Sequence, residues 1–266
     1  MMNRREFCKN AMIMAGGIMI PLTALEVFNP SRLHAEKDGK GKVRWVFLVD
    51  LHKCVGCGFC VKACKIENDV DWDANVTRTW VERYVVTKGM PGEEPKTYID
   101  SPKGCRDGFI TQKIDQASMG LKDIKPEQIS KAFFVPKLCN HCENPPCVQV
   151  CPVGATYQTQ EGVVLVDRTW CIGCGYCVMG CPYGVRYFHP ELHVAEKCTL
   201  CYHRLCRGMK TACVDACPFG ARRVGNIRDP EDPVTKIITT EQVNVLKEEF
   251  GTKPQVFYLG YSMEVK

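Results

Sequence analysis

Residues 54–64 read CVGCGFCVKAC, four thiols within one short stretch, and residues 171–181 repeat the pattern as CIGCGYCVMGC. The interval that carries FLVD at 47–50 ahead of the first run carries VLVD at 164–167 ahead of the second, so one unit is used twice. A second pair of related stretches is CVQVCPVGA at 147–155 and CVDACPFGA at 213–221. Two kinds of half-unit therefore alternate along the chain. Such thiols can be joined to each other, to zinc or to iron, and the spacing has to decide.

The spacing C-x2-C-x2-C-x3-C at Cys54, Cys57, Cys60 and Cys64, and again at Cys171, Cys174, Cys177 and Cys181, is that of bacterial iron-sulfur ligand loops. Cys139, Cys142, Cys147 and Cys151 stretch the middle gap to four residues, and Cys198, Cys201, Cys213 and Cys217 stretch it to eleven. Zinc usually takes CxxC pairs separated by a longer loop, and disulfides within such short runs would be strained. The nineteen cysteines are also an odd number, which internal disulfides cannot absorb. Three close thiolates can wrap one cubane while the fourth, on the following helix, points to a neighbouring one, so the motifs are expected to work in pairs. Gly56, Gly58, Gly173 and Gly175 let the backbone curl close to sulfur with free N–H groups. Pro152, Pro182 and Pro218 follow the last cysteine of three motifs and turn the chain away. The first motif has Lys65 there, read as a solvated lysine sooner than as counter-charge to a reduced cluster.

Outward from the motifs, β-branched and aromatic runs before each first cysteine predict short strands, and the cysteine runs predict loops passing into short helices. The fold class expected is α+β, built from tandem bacterial-ferredoxin-like folds with a loop-rich insertion. The divisions are a signal segment at 1–35, motif I at 43–84, a mostly surface-exposed insertion at 85–135, motifs II to IV at 136–225, and a charged, cysteine-free extension at 226–266. Arg4, Arg5, Phe7 and Lys9 ahead of the short apolar run at 11–25 resemble a Tat (twin-arginine) export signal, with Asn3 and Cys8 departing from its pattern. The run is too short for a membrane-spanning helix and Pro21 interrupts it. The formal charge of +5 is scattered, which gives no support to nucleic-acid binding. Four [4Fe-4S] clusters at about −2 each would outweigh it.

The stretches CVGCGFCVKACKIEN, CNHCENPPCVQVCPVGA, CIGCGYCVMGCPYGVR and KCTLCYHRLCRGMKTACVDACP, in this order over residues 43–223, resemble the four-cluster ferredoxin-like subunit of the DMSO reductase family. Polysulfide, tetrathionate and dimethyl sulfoxide reductases carry such subunits, as do periplasmic proteins of nitrite reduction and of sulfate-reducer membrane complexes. The resemblance implies that motif I pairs with IV and II with III. One cluster would take Cys54, Cys57, Cys60 and Cys217, and the next Cys64, Cys198, Cys201 and Cys213. A third would take Cys139, Cys142, Cys147 and Cys181, and the fourth Cys151, Cys171, Cys174 and Cys177. Some members replace one motif III cysteine by Trp and hold a [3Fe-4S] cluster. With Cys174 present, four [4Fe-4S] clusters are expected here.

Cys8, Cys105 and Cys206 fall outside the quartets and read as free or packed thiols. His189-Pro190-Glu191-Leu192-His193 resembles a zinc-protease motif only superficially, since Glu191 is misplaced and Pro190 breaks a helix. His141 and His203 read as hydrogen-bonding loop residues, and Trp170 and Tyr176 as shields of a cluster from water. No P-loop, dinucleotide fingerprint or nucleophile elbow is present in the sequence. The function expected is single-electron transfer through the clusters, not catalysis, between an integral membrane quinone-reactive subunit and a catalytic oxidoreductase subunit, of the molybdopterin type, or a cytochrome. The alternative within that class is the ferredoxin subunit of a sulfate-reducer-type membrane complex without a molybdopterin partner. A catalytic cluster enzyme would need an open iron site, and a zinc interaction module would be colourless. The expected location is periplasmic, bound to the membrane through a partner and exported folded.

Overall fold

Each cysteine motif in the computed structural model is entered by one strand and followed by another, and the pairing of these strands sets the topology. The structure describes residues 43–89, 94–109, 126–262 and 264–265, all in the second of two units of the chain, Lys40–Lys266. The export-signal reading at 1–35, with Cys8, lies outside the described residues.

Strand β1 (Trp45–Asp50) enters motif I, and β2 (Thr79–Thr87) follows it. After β3 (Thr97–Asp100), strand β4 (Ile129–Leu138) enters motif II and β5 (Thr156–Gln158) leaves it. Motif III lies between β6 (Val164–Val166) and β7 (Tyr187–Phe188), and motif IV between β8 (Ala195–Glu196) and β9 (Arg222–Asn226). Each following strand pairs antiparallel with the next entering strand: β2 with β4, β5 with β6, β7 with β8. The last, β9, returns to pair antiparallel with β1, which closes the circuit between motifs IV and I.

Helix length follows the residue after the last cysteine. In motifs II, III and IV the helices α2 (Pro146–Gln149), α3 (Tyr176–Met179) and α5 (Ala212–Asp215) are one turn long. Proline next to the last cysteine cannot donate to the preceding turn, and the chain reverses at Gly154, Gly184 and Gly220, all at positive φ. Motif I lacks the proline, so α1 (Phe59–Glu67) continues through Cys64 and Lys65. One further turn, α4 (Tyr202–Leu205), fills the long gap of motif IV. Helix α1 packs on α5, and α2 packs on α3.

The C-terminal extension is part of the core. Strand β11 (Val256–Leu259) pairs in parallel with β1, and β10 (Val243–Asn244) adds the outer edge, giving the order β10-β11-β1-β9. Strand β1 is buried on both faces, which explains its unbroken apolar run. Phe47 and Val49 face the core that contains Cys60, Val81 and Cys213. Val46 and Leu48 face Val234, Ile237 and Ile238 of α6 (Pro233–Thr240). Burying each such side chain contributes about 1.5–3 kcal/mol. Asp232 caps α6 by accepting from the Val234 N–H at 2.7 Å, with Pro233 in the first turn.

Residues 85–135, expected to be mostly exposed, contribute to the interior where they are described. Val85, Val86, Cys105, Phe109 and Val135 are buried, because β2, β3 and β4 form one antiparallel sheet and the segment after β3 folds over the motif I loop.

Candidate metal centres

The loops share one backbone device. The residue before the second cysteine of each motif has a left-handed φ: 67° at Gly56, 42° at His141, 68° at Gly173 and 54° at Leu200. Glycine takes this conformation freely, whereas His141 and Leu200 take it at a cost on the order of 1 kcal/mol. His141 is buried and accepts from the Val164 N–H at Nδ1, 3.1 Å, which ties the motif II loop to β6. Burial, with Lys197, Arg186 and Arg44 nearby, holds its ring well below the usual histidine range, so it is neutral.

The thiols collect in sets that cross between motifs. Cys54, Cys57 and Cys60 line a small cavity with Cys217. Cys64 of motif I lines a second with Cys198, Cys201 and Cys213 of motif IV. Cys139, Cys142 and Cys147 line a third with Cys181 of motif III. The four motif thiols left over, Cys151, Cys171, Cys174 and Cys177, make up the fourth set by remainder. Cys171 and Cys177 belong to one small apolar cluster with Cys147, Val164 and Ala195, Cys151 is half-buried beyond α2, and Cys174 is exposed.

All described cysteines are free thiols. Among the described residues no three His, Cys, Asp or Glu side chains close on a point as a single metal ion requires. In three places four sulfurs instead line one space behind apolar walls, which is the arrangement a polynuclear iron-sulfur group fits. Burial pushes the Cys60, Cys142 and Cys198 thiols up to about 12, and neighbouring thiols push the same way. Without iron these sulfurs hold their protons, so assembly of a cluster must release them. The thiols that face each other also give the sets an order. Cys60 of the first set faces Cys213 of the second, and Cys198 of the second faces Cys139 of the third. Cys147 of the third shares its apolar cluster with Cys177 of the fourth.

Around the sulfurs stands a shell of donors that the cysteine spacing does not reveal. Backbone N–H groups of Thr156, Ala195 and Leu200 lie 3.4, 3.4 and 3.3 Å from the sulfurs of Cys151, Cys171 and Cys198. Asn68 reaches the sulfurs of Cys64 and Cys201 with Nδ2. Its Oδ1 accepts from Arg78 at 2.9 Å, and Arg78 is held by buried Glu196, which also pairs with Arg168. Buried Arg222 and Arg186 line the first and third cavities. Aligning residues by their distance from the last cysteine would have brought these two arginines together.

Lys65 corrects its sequence reading. It is buried, and Nζ donates to the carbonyls of Asp71 at 2.7 Å, Ala74 at 3.0 Å and Trp72 at 3.4 Å. Its charge closes a loop and is neither solvated nor turned to a cluster. Cys105 is a packed thiol that donates to the Gly56 carbonyl at 3.3 Å, and Cys206 is exposed. The His189–His193 stretch is a hairpin tip: His189 Nδ1 accepts from the N–H groups of Glu191 and Leu192. His203 pairs with Glu67 at 2.7 Å, joining α4 to α1. Trp170 and Tyr176 are themselves 60% and 55% exposed, so they belong to an open apolar surface and not to a sealed wall.

The fold and the thiol sets define a ferredoxin-type electron carrier with several clusters. Two overlapping stretches, residues 53–155 and 130–227, each match a family described as a 4Fe-4S dicluster domain. The chain is 36% identical to a tetrathionate reductase subunit of Salmonella typhimurium over 97% of its own length and 88% of that protein. It is 32% identical to a selenate reductase subunit of Mesobacillus selenatarsenatis, over 85% and 75% of the two chains. Identity is also 32% to the Hdr-like menaquinol oxidoreductase iron-sulfur subunit 1 of Archaeoglobus fulgidus, over 97% and 98%. The chain belongs to this family of iron-sulfur subunits of oxidoreductase complexes. It is an electron-transfer subunit carrying four [4Fe-4S] clusters, and it does not itself convert a substrate.

Proposed function

We propose that the four thiol sets are the ligand sets of the clusters and that electrons pass along them in the order first, second, third, fourth, or the reverse. The observation that carries this reading is the crossing of cysteines between motifs, with Cys217 at the first cavity, Cys64 at the second and Cys181 at the third. Each cluster, when bound, takes up and gives back one electron. The chain supplies position, dry walls and N–H donors. Phe47 and Leu138 exclude water at the second set, and Val81 and Pro136 do so at the first.

The two ends of this series are where partners would exchange electrons. Near the fourth set Trp170, Ile172, Tyr176 and Met179 are exposed, and beside the first set Phe59 and Phe219 are exposed. Open apolar surface at both ends suits docking on proteins. One partner is a catalytic subunit of the molybdopterin type, and the other is an integral membrane subunit that reacts with quinone. The names of two relatives, tetrathionate reductase and selenate reductase, support the first. The name menaquinol oxidoreductase supports the second; a complex without a molybdopterin subunit is the second reading and is no better supported. No helix among the described residues is long and apolar enough to cross a membrane, so attachment through a partner suits this subunit. Arg4 and Arg5 would direct folded protein, clusters in place, to the periplasm.

Isolation of the native complex tests the partners. A co-purifying membrane subunit and a molybdenum-containing subunit are expected, and a complex that holds the membrane subunit without molybdenum would select the second reading. Replacing Arg4 and Arg5 by lysine should retain cluster-loaded protein in the cytoplasm. Unchanged delivery to the periplasm would contradict the export route.

A further inference from the structure

Arg222 and Arg186 occupy the same place in two motifs, the fifth residue after the last cysteine, beyond the turn at Gly220 or Gly184. Both side chains are buried, at 1% and 5% exposure. Each guanidinium is fixed from one side by a threonine: Arg222 Nη1 donates to Thr79 Oγ1 at 2.9 Å, and Arg186 Nη1 donates to Thr156 Oγ1 at 3.4 Å. In each, Nη2 is buried with no hydrogen-bond partner among the described residues. A permanently charged group held in the interior with only neutral partners is costly, so an anion is called for at both places.

The surroundings name the anion. Arg222 lines the first cavity, and the ionisable groups that act on it most strongly are Cys60, Cys213, Cys54 and Tyr258. Arg186 lines the third cavity, lies against the Cys147 thiol and is acted on most strongly by Cys147, Cys139 and Cys177. No carboxylate is among these groups. These thiols come from both sets of one pair, the first and second for Arg222, the third and fourth for Arg186. The position carries a cation once in each pair of motifs: the fifth residue after the last cysteine is Thr156 in motif II and Asp69 in motif I.

We propose that Arg222 and Arg186 are the internal cations of the two cluster pairs, each offering its unpaired Nη2 to cluster sulfur and favouring the reduced state of that pair. The inference rests on the proposed ligand sets. The electron arrives from the partner and no bond forms or breaks, so the arginine acts only by holding positive charge where negative charge increases. It is a positioning residue and not a catalytic one. A neutral replacement disfavours the reduced state and lowers the midpoint potential, whereas a lysine keeps the charge.

The test is a redox titration followed by electron paramagnetic resonance on the full chain in its native complex, with Arg222→Gln, Arg222→Lys, Arg186→Gln and Arg186→Lys. Signals are assigned with Cys217→Ser and Cys181→Ser, and iron and sulfide are measured alongside. We expect each glutamine variant to keep its iron and to lose at least tenfold in the ratio of reduced to oxidised cluster at the wild-type midpoint. For a one-electron couple this is a shift of about 59 mV downward, confined to the pair that the arginine faces. The lysine variants should recover most of it. Unshifted potentials in both iron-replete glutamine variants would overturn the proposal. So would loss of iron in the lysine and glutamine variants alike, which would assign the arginines to packing. A downward shift in the opposite pair of signals would support the role of the charge and overturn the ligand assignment.

Discussion

Asn68 Nδ2 lies 3.6 Å from the sulfur of Cys64, one helical turn after that thiol, and donates to the Cys64 carbonyl at 2.9 Å. The side chain thus ends α1 and meets the second thiol set with the same amide. An N–H aimed at sulfur favours the more negative, reduced cluster. Asn68→Leu should keep the full iron content and lower the midpoint of one cluster, and the equilibrium should shift by about one order of magnitude. Potentiometric titration checks this, and an unchanged midpoint would remove Asn68 from the donor shell.

Gly58 and Gly175 hold equivalent positions with φ of 78° and 80°, yet their surroundings differ. A Cβ on Gly58 would stand 2.2 Å from the Cys105 carbonyl, whereas one on Gly175 would meet the rim of the Phe188 ring at 3.1 Å. Both alanine variants carry the left-handed penalty of about 1–2 kcal/mol. Gly58→Ala must also displace backbone, so its thermal unfolding temperature and iron retention should fall well below those of Gly175→Ala. Equal losses would show that the segment bearing Cys105 does not press on the motif I loop.

Lys65 separates a structural charge from an electrostatic one. Lys65→Met leaves the carbonyls of residues 71 and 74 without this donor, at about 1–3 kcal/mol for each that stays unsatisfied, while that of Trp72 keeps Arg106. Stability to denaturant should therefore drop while cluster potentials stay at wild type. A large potential shift with intact stability would restore the counter-charge reading.

Glu67 links α1 to motif IV through His203 and Arg204. These partners hold its carboxyl below the usual carboxylate range, with the His203 hydrogen bond the largest influence. A lowered folded-state pKa gives stability that is present above pH 4.5 and lost as pH falls through the folded value. The site is partly open to solvent, so the effect should be a few tenths of a kcal/mol. Glu67→Gln should unfold slightly more easily at pH 7 and show less further loss between pH 5 and about 3 than wild type. Parallel acid profiles for both would contradict the link.

The loops that carry the thiols, the strand before each motif and the α+β class were legible in the sequence, because local rules govern them: thiol intervals, β-branched runs and proline after a last cysteine. The long-range features were less legible. Nothing near Gln255 indicates that Val256 to Leu259 would lie beside β1, or that Val234 would cover its outer face, since such pairing is a property of two distant segments. Lys65 looked like a surface residue because lysines usually are, and only the loop at 71–74 supplies the carbonyls that bury it. Arg186 and Arg222 share a distance from the last cysteine of their motifs, which aligns them with each other, but nothing in that spacing says that either is buried.

The central claim is that the last cysteine of each motif serves its partner's cluster. Cys217 stands at the cavity of Cys54, Cys57 and Cys60, more than 150 residues away in sequence, while Cys206 is exposed and outside every set. Low-temperature electron paramagnetic resonance of reduced Cys217→Ser and Cys206→Ser, against wild type, tests this directly. Cys217→Ser should alter or abolish one signal, that of the first set, and leave the cluster of Cys64, Cys198, Cys201 and Cys213 with all its ligands, whereas Cys206→Ser should show all four signals. Loss of a cluster in the Cys206 variant with Cys217→Ser unchanged would contradict the pairing.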